Sequence, residues 1–294
     1  MILVASRKSE LARIQAEMAI AALSGAGMGE RMQLRTVSTS GDSGKGPFNP
    51  AVGSFVDRIN ELVSSGEMDI GVHSMKDLPP ELPAGLEISA VLERGSRFDC
   101  VLGPSMLARL PTGSTVGTSS ARRRAQALHM RPDLKTVAVR GNVGTRASLV
   151  RPGGVDAVIL AMAGLERLNF VPPEGYGLYP LPVDYFVPSA GQGAIAIVSR
   201  KGFIESEVAR RASHPESRSE VEIERRILSL LSGGCNSPIG ITAISFGRGY
   251  TVRIQKLSPD GRIEARITES IRSLDDAERV VSDFNAVEKV KFGD

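Results

Sequence analysis

The chain has 294 residues, 41% hydrophobic and 23% charged, with 36 basic against 33 acidic side chains and a net charge of +3. That length holds two or three domains, and that balance excludes a mainly disordered chain. The charge excess is too small to specify nucleic acid, and with tryptophan absent and aromatics at 4% there are few platforms for stacked bases.

No apolar run approaches bilayer length, and Met1-Ile2-Leu3-Val4-Ala5-Ser6-Arg7 lacks the pattern of a secretory signal, so a cytosolic protein without a membrane partner is expected. Cys100 and Cys235 lie in unlike surroundings, which argues against a disulfide. His73, His129 and His214 have no partners at ligand spacing, so no metal site is expected.

Residues 2–5 read as a buried strand. Ser9 then opens a helix with Leu11, Ile14, Met18 and Leu23 on one face, stopping near Gly25. In the turn between them, either Ser9 merely caps the helix and Arg7 is solvated, or the two hold an anion at the helix's positive end. A second strand, Met32 to Val37, precedes Ser38 to Gly53, a loop rich in Ser, Gly and Pro. Its Gly41-Asp42-Ser43-Gly44-Lys45-Gly46 lacks the spacing and the hydroxyl of a phosphate loop and is rejected as one. A helix with Phe55, Ile59, Leu62 and Val63 inward leads to a short apolar strand, Ile70 and Val72, that runs into Lys76 and Asp77. Open α/β sheets place ligand groups just beyond such strand ends, although, taken alone, an aspartate before Leu78-Pro79 is usually a turn residue.

Leu86 to Leu92 is extended, and Phe98 to Gly103 begins a second α/β domain in which Cys100 is a small buried residue. Three strand-turn-helix units follow. Ser114 to Thr118 leads to Ser119-Ser120 capping a helix; Thr136 to Val139 leads to Arg140-Gly141-Asn142-Val143-Gly144-Thr145-Arg146; Val155 to Leu160 leads to a helix ending near Arg167. Parallel strands put these junctions on one edge of a sheet, so Ser120, Arg122, Arg123, Arg140, Arg146 and Arg167 are expected to converge, with Arg124 on a solvated face. Arginine holds carboxylates and phosphates bidentately, so the ligand carries several of them.

Pro172 to Pro188 reads as a proline-rich connection. Gly191-Gln192-Gly193-Ala194-Ile195-Ala196 loosely matches a dinucleotide fingerprint but follows no buried strand and is discounted. Ala194 to Val198 instead reads as a strand returning to the first sheet, and two such crossings would form a hinge over a cleft. Helices over Phe203 to Ser213 and Glu216 to Leu231 end at Ser232-Gly233-Gly234-Cys235. Strands Ile239 to Phe246, Thr251 to Leu257 and Ile263 to Ile271, a turn at Pro259-Asp260-Gly261 and a helix from Leu274 to Val290 make a small α+β domain. Cys235, behind two glycines, is either a thiol open to a bulky group or a loop thiol without a role.

Together, Arg7, Ser9, His73-Ser74-Met75-Lys76-Asp77, Gly117-Thr118-Ser119-Ser120 with Arg122-Arg123, the run Arg140 to Arg146, and Gly233-Gly234-Cys235 resemble the porphobilinogen deaminase (hydroxymethylbilane synthase) family, in order and from the first strand into the last domain. The resemblance implies a monomeric, cytoplasmic transferase of tetrapyrrole (haem) biosynthesis. It implies three domains: residues 1–93 with 194–212, and residues 94–193, both α/β and like those of periplasmic binding proteins around a cleft, then residues 213–294, a small α+β domain with an antiparallel sheet. Such enzymes condense four porphobilinogen molecules head to tail onto a dipyrromethane cofactor, release ammonia, and free hydroxymethylbilane by hydrolysis. The resemblance puts the cofactor's thioether on Cys235 and catalysis on Asp77. Further cofactor contacts fall on Lys76, Ser120, Arg122, Arg123, Arg140 and Gly141, and substrate contacts on Arg7, Ser9, Phe55, Arg146, Arg167 and Gln192. The chain departs from the family where Val52-Gly53-Ser54-Phe55 replaces Lys-Gly-X-Phe and Ser40 replaces an arginine before Gly41-Asp42. The competing readings are a polycarboxylate-binding module with Cys235 idle and an RNA-binding protein using Arg122 to Arg124.

Overall fold

The computed structural model describes residues 1–29, 31–38, 56–202, 204–231 and 238–293. Phe55, Cys235, the departures at Ser40 and Val52 to Phe55, and all but the first residue of the expected 38–53 loop lie outside the described residues. In chain order the elements are β1 (Ile2–Arg7), α1 (Glu10–Gly25), β2 (Met32–Val37), α2 (Asp57–Ser65), β3 (Ile70–Ser74), β4 (Leu86–Val91), β5 (Asp99–Gly103), β6 (Thr115–Gly117), α3 (Ala121–Met130), β7 (Lys135–Val137) and α4 (Val143–Ala147). They continue as β8 (Ala157–Ala161), α5 (Met162–Arg167), β9 (Gly177–Leu181), β10 (Ile195–Arg200), α6 (Ile204–Arg211), α7 (Pro215–Leu231), β11 (Ile239–Phe246), β12 (Gly249–Leu257), β13 (Glu264–Ile271) and α8 (Ala277–Phe292). Two compact units result, Met1–Gly95 with Gly191–Ser219, and Ser96–Ala190 with Glu220–Asp294.

The first unit is built on a five-stranded sheet in the order β2-β1-β3-β10-β4. β1 is parallel to β2 and β3, whereas β10 runs antiparallel to β3 and β4. The segment Ala194 to Val198 therefore does return to the first sheet, and its uninterrupted apolar run is that of a strand covered on both faces. In α1 the expected inward face is wrong in detail. The helix buries Ala12, Gln15, Ala16, Ala19 and Leu23, while Leu11 and Ile14 are half-buried and Met18 is 39% exposed. Alanines let a helix approach a sheet closely, so the small side chains set the contact and the bulky ones fall on its flanks. In α2, Ile59, Leu62 and Val63 are buried as expected.

The second unit carries a five-stranded sheet in the order β7-β6-β8-β5-β9 and a three-stranded antiparallel sheet, β11-β12-β13. β6 is parallel to β7 and β8, and β5 is antiparallel to β8 and β9. β9 lies inside the stretch expected to be only a proline-rich connection. It contains Pro180 and survives because it is an edge strand, where a missing N–H donor breaks a single ladder at most. The small sheet packs Ile241, Ala243, Val252 and Ile254 against Ile223 and Ile227 of α7 and Val280 and Phe284 of α8. The fold is thus mixed α/β, with two five-stranded sheets and a small antiparallel one.

Candidate active site

β3 ends in a single 3₁₀ turn, Met75–Asp77, that carries Lys76 and Asp77 half-buried at the carboxyl end of a buried strand. The turn is anchored by Met75, whose side chain is buried and whose N–H donates to the Ala194 carbonyl at 3.0 Å. Gly191 is what makes this anchoring possible. Its φ is +72°, and a Cβ there would stand 2.4 Å from Met75 Cγ, so both the conformation and the space demand glycine. Gly191, one of the glycines that resembled a dinucleotide fingerprint, therefore serves a close approach of backbone to the turn at Met75–Asp77. Gln192, between them, is wholly buried. Its Oε1 accepts from Lys76 Nζ at 3.4 Å and its carbonyl from Arg94 Nε at 2.8 Å. The structure thus brings Lys76, Asp77 and Gln192 together, with the Gln192 amide turned onto the lysine.

Arg7 ends β1, and Ser9 caps α1 by accepting from the Ala12 N–H at 3.3 Å. The capping role is therefore filled, and Ser74 Oγ donates to Gln15 of the same helix at 3.0 Å, fastening β3 to it. His73 is buried beside them. Burial, and after it the charge of Arg7, pushes its imidazole down to about 3, so it is neutral at neutral pH.

In the second unit the carboxyl ends of β6, β7 and β8 share one edge because the three strands are parallel. Ser120 caps α3 there, accepting from the Arg123 N–H at 3.4 Å. Arg140 and Gly141 are exposed after β7, and Arg146 reaches back so that its Nε donates to the Gly141 carbonyl at 2.8 Å. Asn142 caps α4, its Oδ1 accepting from the Thr145 N–H at 2.8 Å and from the Thr145 hydroxyl at 2.9 Å. Arg167 closes α5, half-buried, with its pKa lowered by desolvation. Arg124 is exposed, as expected of a solvated face.

Arg122 and Arg123 behave differently from the expectation that they face a ligand. Both are buried and both meet the carboxylate of Asp99, itself wholly buried at the start of β5. Arg123 Nε donates to Asp99 Oδ1 at 2.9 Å, and Arg122 Nη1 forms an ion pair with Oδ2 at 2.8 Å. The first carboxylate these guanidiniums encounter is therefore the protein's own. Sequence reasoning missed Asp99 and Gln126, which bonds Arg122 at 2.8 Å. The available signal was an aspartate flush against the all-apolar Cys100-Val101-Leu102, a place where a charge needs a buried partner.

Cys100 is a poor nucleophile in this setting: it is wholly buried, and desolvation pushes its thiol up to about 12. Among the described residues no group of three or more His, Cys, Asp or Glu side chains could hold a metal ion, and no helix is long and apolar enough to cross a membrane.

Residues 2–207 match the family described as porphobilinogen deaminase, dipyromethane cofactor binding domain. The chain is 41% identical over 268 residues to a porphobilinogen deaminase of Rubrobacter xylanophilus, covering 88% of this chain and 85% of that one. It is 36% identical over 284 residues to a probable porphobilinogen deaminase of Thermoplasma acidophilum, covering 96% and 94%. Among solved structures, the BvgS periplasmic VFT2 domain of Bordetella pertussis is similar at a TM-score of 0.44 and 16% identity, over 72% of this chain and 86% of that one.

Proposed function

From the premise that the chain belongs to the porphobilinogen deaminase family, we infer that it is a transferase of tetrapyrrole biosynthesis that joins four porphobilinogen molecules head to tail, releases ammonia and then frees hydroxymethylbilane by hydrolysis. The observation that carries the residue assignment is the Lys76-Asp77 turn, anchored through Met75 by Gly191 at the end of β3. Loss of ammonia from an aminomethylpyrrole leaves an azafulvenium cation, and a fixed carboxylate near the ring N–H stabilises that charge as it develops. At ~4 Å and an effective dielectric of ~20 such a pair is worth about 4 kcal/mol, roughly a thousandfold in rate. Asp77 takes this role, and Lys76, held by Gln192, positions a carboxylate of the pyrrole chain.

The family's cofactor is a dipyrromethane, which supplies a free pyrrole α-carbon as the point of growth. Cys235 holds it by a thioether in this reading. The donors at the strand-end edge of the second unit, the Ser120 hydroxyl and the guanidiniums of Arg140, Arg146 and Arg167, have the chemistry to bind the acetate and propionate groups of such a primer. Arg7, Ser9 and Phe55 take the corresponding place for the incoming substrate. Each added pyrrole brings two more carboxylates, so a run of permanently charged arginines suits the reaction better than one lysine would. The same reading makes the protein a cytosolic monomer of three domains, residues 1–93 with 194–212, 94–193 and 213–294, one for each sheet.

Intact mass of the wild-type chain beside Cys235→Ser tests the assignment. The wild type is expected to be heavier than its sequence by two linked pyrrole units and to colour with a pyrrole-detecting aldehyde reagent, and Cys235→Ser to show neither. An unmodified wild-type mass in protein that turns over porphobilinogen would remove Cys235 from the mechanism.

A further inference from the structure

The small antiparallel sheet is fastened to α3 by polar side chains where an apolar contact would have sufficed. Gln126 is 1% exposed, and both ends of its amide are engaged. Its Oε1 accepts from Arg122 Nη1 at 2.8 Å, and its Nε2 donates to the Val187 carbonyl at 2.8 Å and to Gln255 Oε1 of β12 at 2.6 Å. Arg122 Nη1 reaches the same Val187 carbonyl at 2.9 Å. Val187 in turn stands against the start of β11. A Cβ at Gly240 would lie 2.3 Å from the Val187 oxygen, and the next residue, Ile241, donates its N–H to the Pro188 carbonyl at 2.8 Å. Gly240 and Gln255 are partners across β11 and β12, so the glutamines and the glycine meet at one point of the sheet. A pair of apolar side chains would hold such a contact as firmly and would tolerate sliding. Two buried amides permit a single register, because any other leaves a donor or an acceptor buried and unmatched. The Gly240 end of β11 follows Cys235 by five residues, a length of chain that reaches at most about 17 Å. The first turn of α3 is capped by Ser120, at the strand-end edge that follows β6.

We propose that Gln126, Gln255 and Gly240 are positioning residues for the reaction: they fix the start of β11 on α3 and so set the point from which the Cys235 tether presents the growing pyrrole chain. The assignment rests on the deaminase reading and on its placing of the tether. Joining a tethered pyrrole to an incoming one needs the two reacting carbons in near-attack geometry, and a displaced anchor slows that step without weakening the hold on the incoming molecule. None of the three residues touches substrate in this assignment, so the effect falls on kcat and spares KM.

The test uses the full chain as wild type, Gly240→Ala, Gly249→Ala, and Gln126→Leu with Gln255→Leu. Gly249 is the matched control: it opens β12 at the far end of the same sheet, and a Cβ there would lie 2.4 Å from the Ile271 carbonyl oxygen. Intact mass reads the fraction carrying the covalent pyrrole group, steady-state kinetics on the loaded protein separate kcat from KM, and the urea midpoint reads stability. The two glycine variants are expected to lose similar stability, with kcat about tenfold lower in Gly240→Ala, less than about twofold lower in Gly249→Ala, and KM within about twofold in both. The leucine pair removes both buried amides together, so it is expected to keep the wild-type urea midpoint and still to lower kcat about threefold to tenfold. Gly240→Ala at the wild-type kcat, equal losses of kcat in the two glycine variants, a leucine pair at the wild-type kcat, or a loss seen in KM alone overturns the assignment. If Gly240→Ala does not fold, the leucine pair decides on the same terms, and a leucine pair that also stays unfolded counts against it. A wild-type chain with neither the added mass nor turnover overturns the deaminase reading and the assignment with it, and added mass that survives Cys235→Ser overturns the tether and the assignment. A wild type loaded through Cys235 with the wrong pattern among the variants overturns the assignment alone.

Discussion

The two five-stranded sheets share one plan and carry different charged groups at its strand ends. In each, three parallel strands are followed by an antiparallel strand and then a last one: β2-β1-β3-β10-β4 in the first, β7-β6-β8-β5-β9 in the second. The antiparallel strand is the last of the first sheet's strands in the sequence and the first of the second's. At its central strand end the first sheet carries a lysine and an aspartate on a turn anchored by glycine. The second carries a serine and arginines, two of them folded inward onto Asp99. Topology thus supplies a place where side chains can meet a ligand, and the residues there set its charge; in the proposed function the first steadies a cation and the second collects anions.

The sharpest way to break the comparison is at Asp77. Asp77→Ala is expected to leave the circular dichroism spectrum unchanged and to lower kcat by about a thousandfold; a variant keeping more than about a tenth of the wild-type rate would show that the first sheet's carboxylate is a turn residue only.

His73 separates the sheets by pH. Its folded pKa of about 3 lies below the ordinary 6.5, so between those values the unfolded chain binds a proton that the folded chain refuses. The stability this contributes is complete above pH 6.5 and is lost as pH falls toward about 3, amounting to a few kcal/mol. In His73→Gln, denaturant midpoints followed from pH 7 to pH 3 should fall less steeply than in the wild type, and parallel curves would show that the histidine is not the source.

Gly191→Ala should cost about 2–3 kcal/mol and lower kcat, because the new Cβ meets the Met75 side chain that anchors the turn. Gly85→Ala is the control: its φ of +85° is strained alike, but nothing lies within 4 Å of the added Cβ, so about 1 kcal/mol is expected with kcat unchanged. Equal stability losses in urea would mean that Gly191 matters only for its backbone angle. The smallest effect is expected at Arg146→Lys, which forfeits the bond from Nε to the Gly141 carbonyl and the planar fork, raising KM about fivefold to tenfold with little change in melting temperature. An unaltered KM would take Arg146 out of the set that holds carboxylates.

Much of this was legible in the chain as a string of residues. The alternation of strand, turn and helix, the uninterrupted run Ile195 to Val198, the turn at Pro259 to Gly261 and the basic junctions after β6, β7 and β8 are all local patterns, and a local pattern sets which conformation a segment adopts. The return of Ala194 to Val198 to the first sheet was legible too, but the other choices of partner needed the folded chain. α1 buries its alanines and leaves Met18 exposed because the sheet surface, not the size of the side chains, selects the contact. Pro180 sits in a strand because that strand came to lie at an edge. Gln192 turns onto Lys76, and Asp99 onto Arg122 and Arg123, across separations of 116, 23 and 24 residues. Charge pairing depends on distance in space and on exclusion of water, and neither is written in the spacing of residues along a chain.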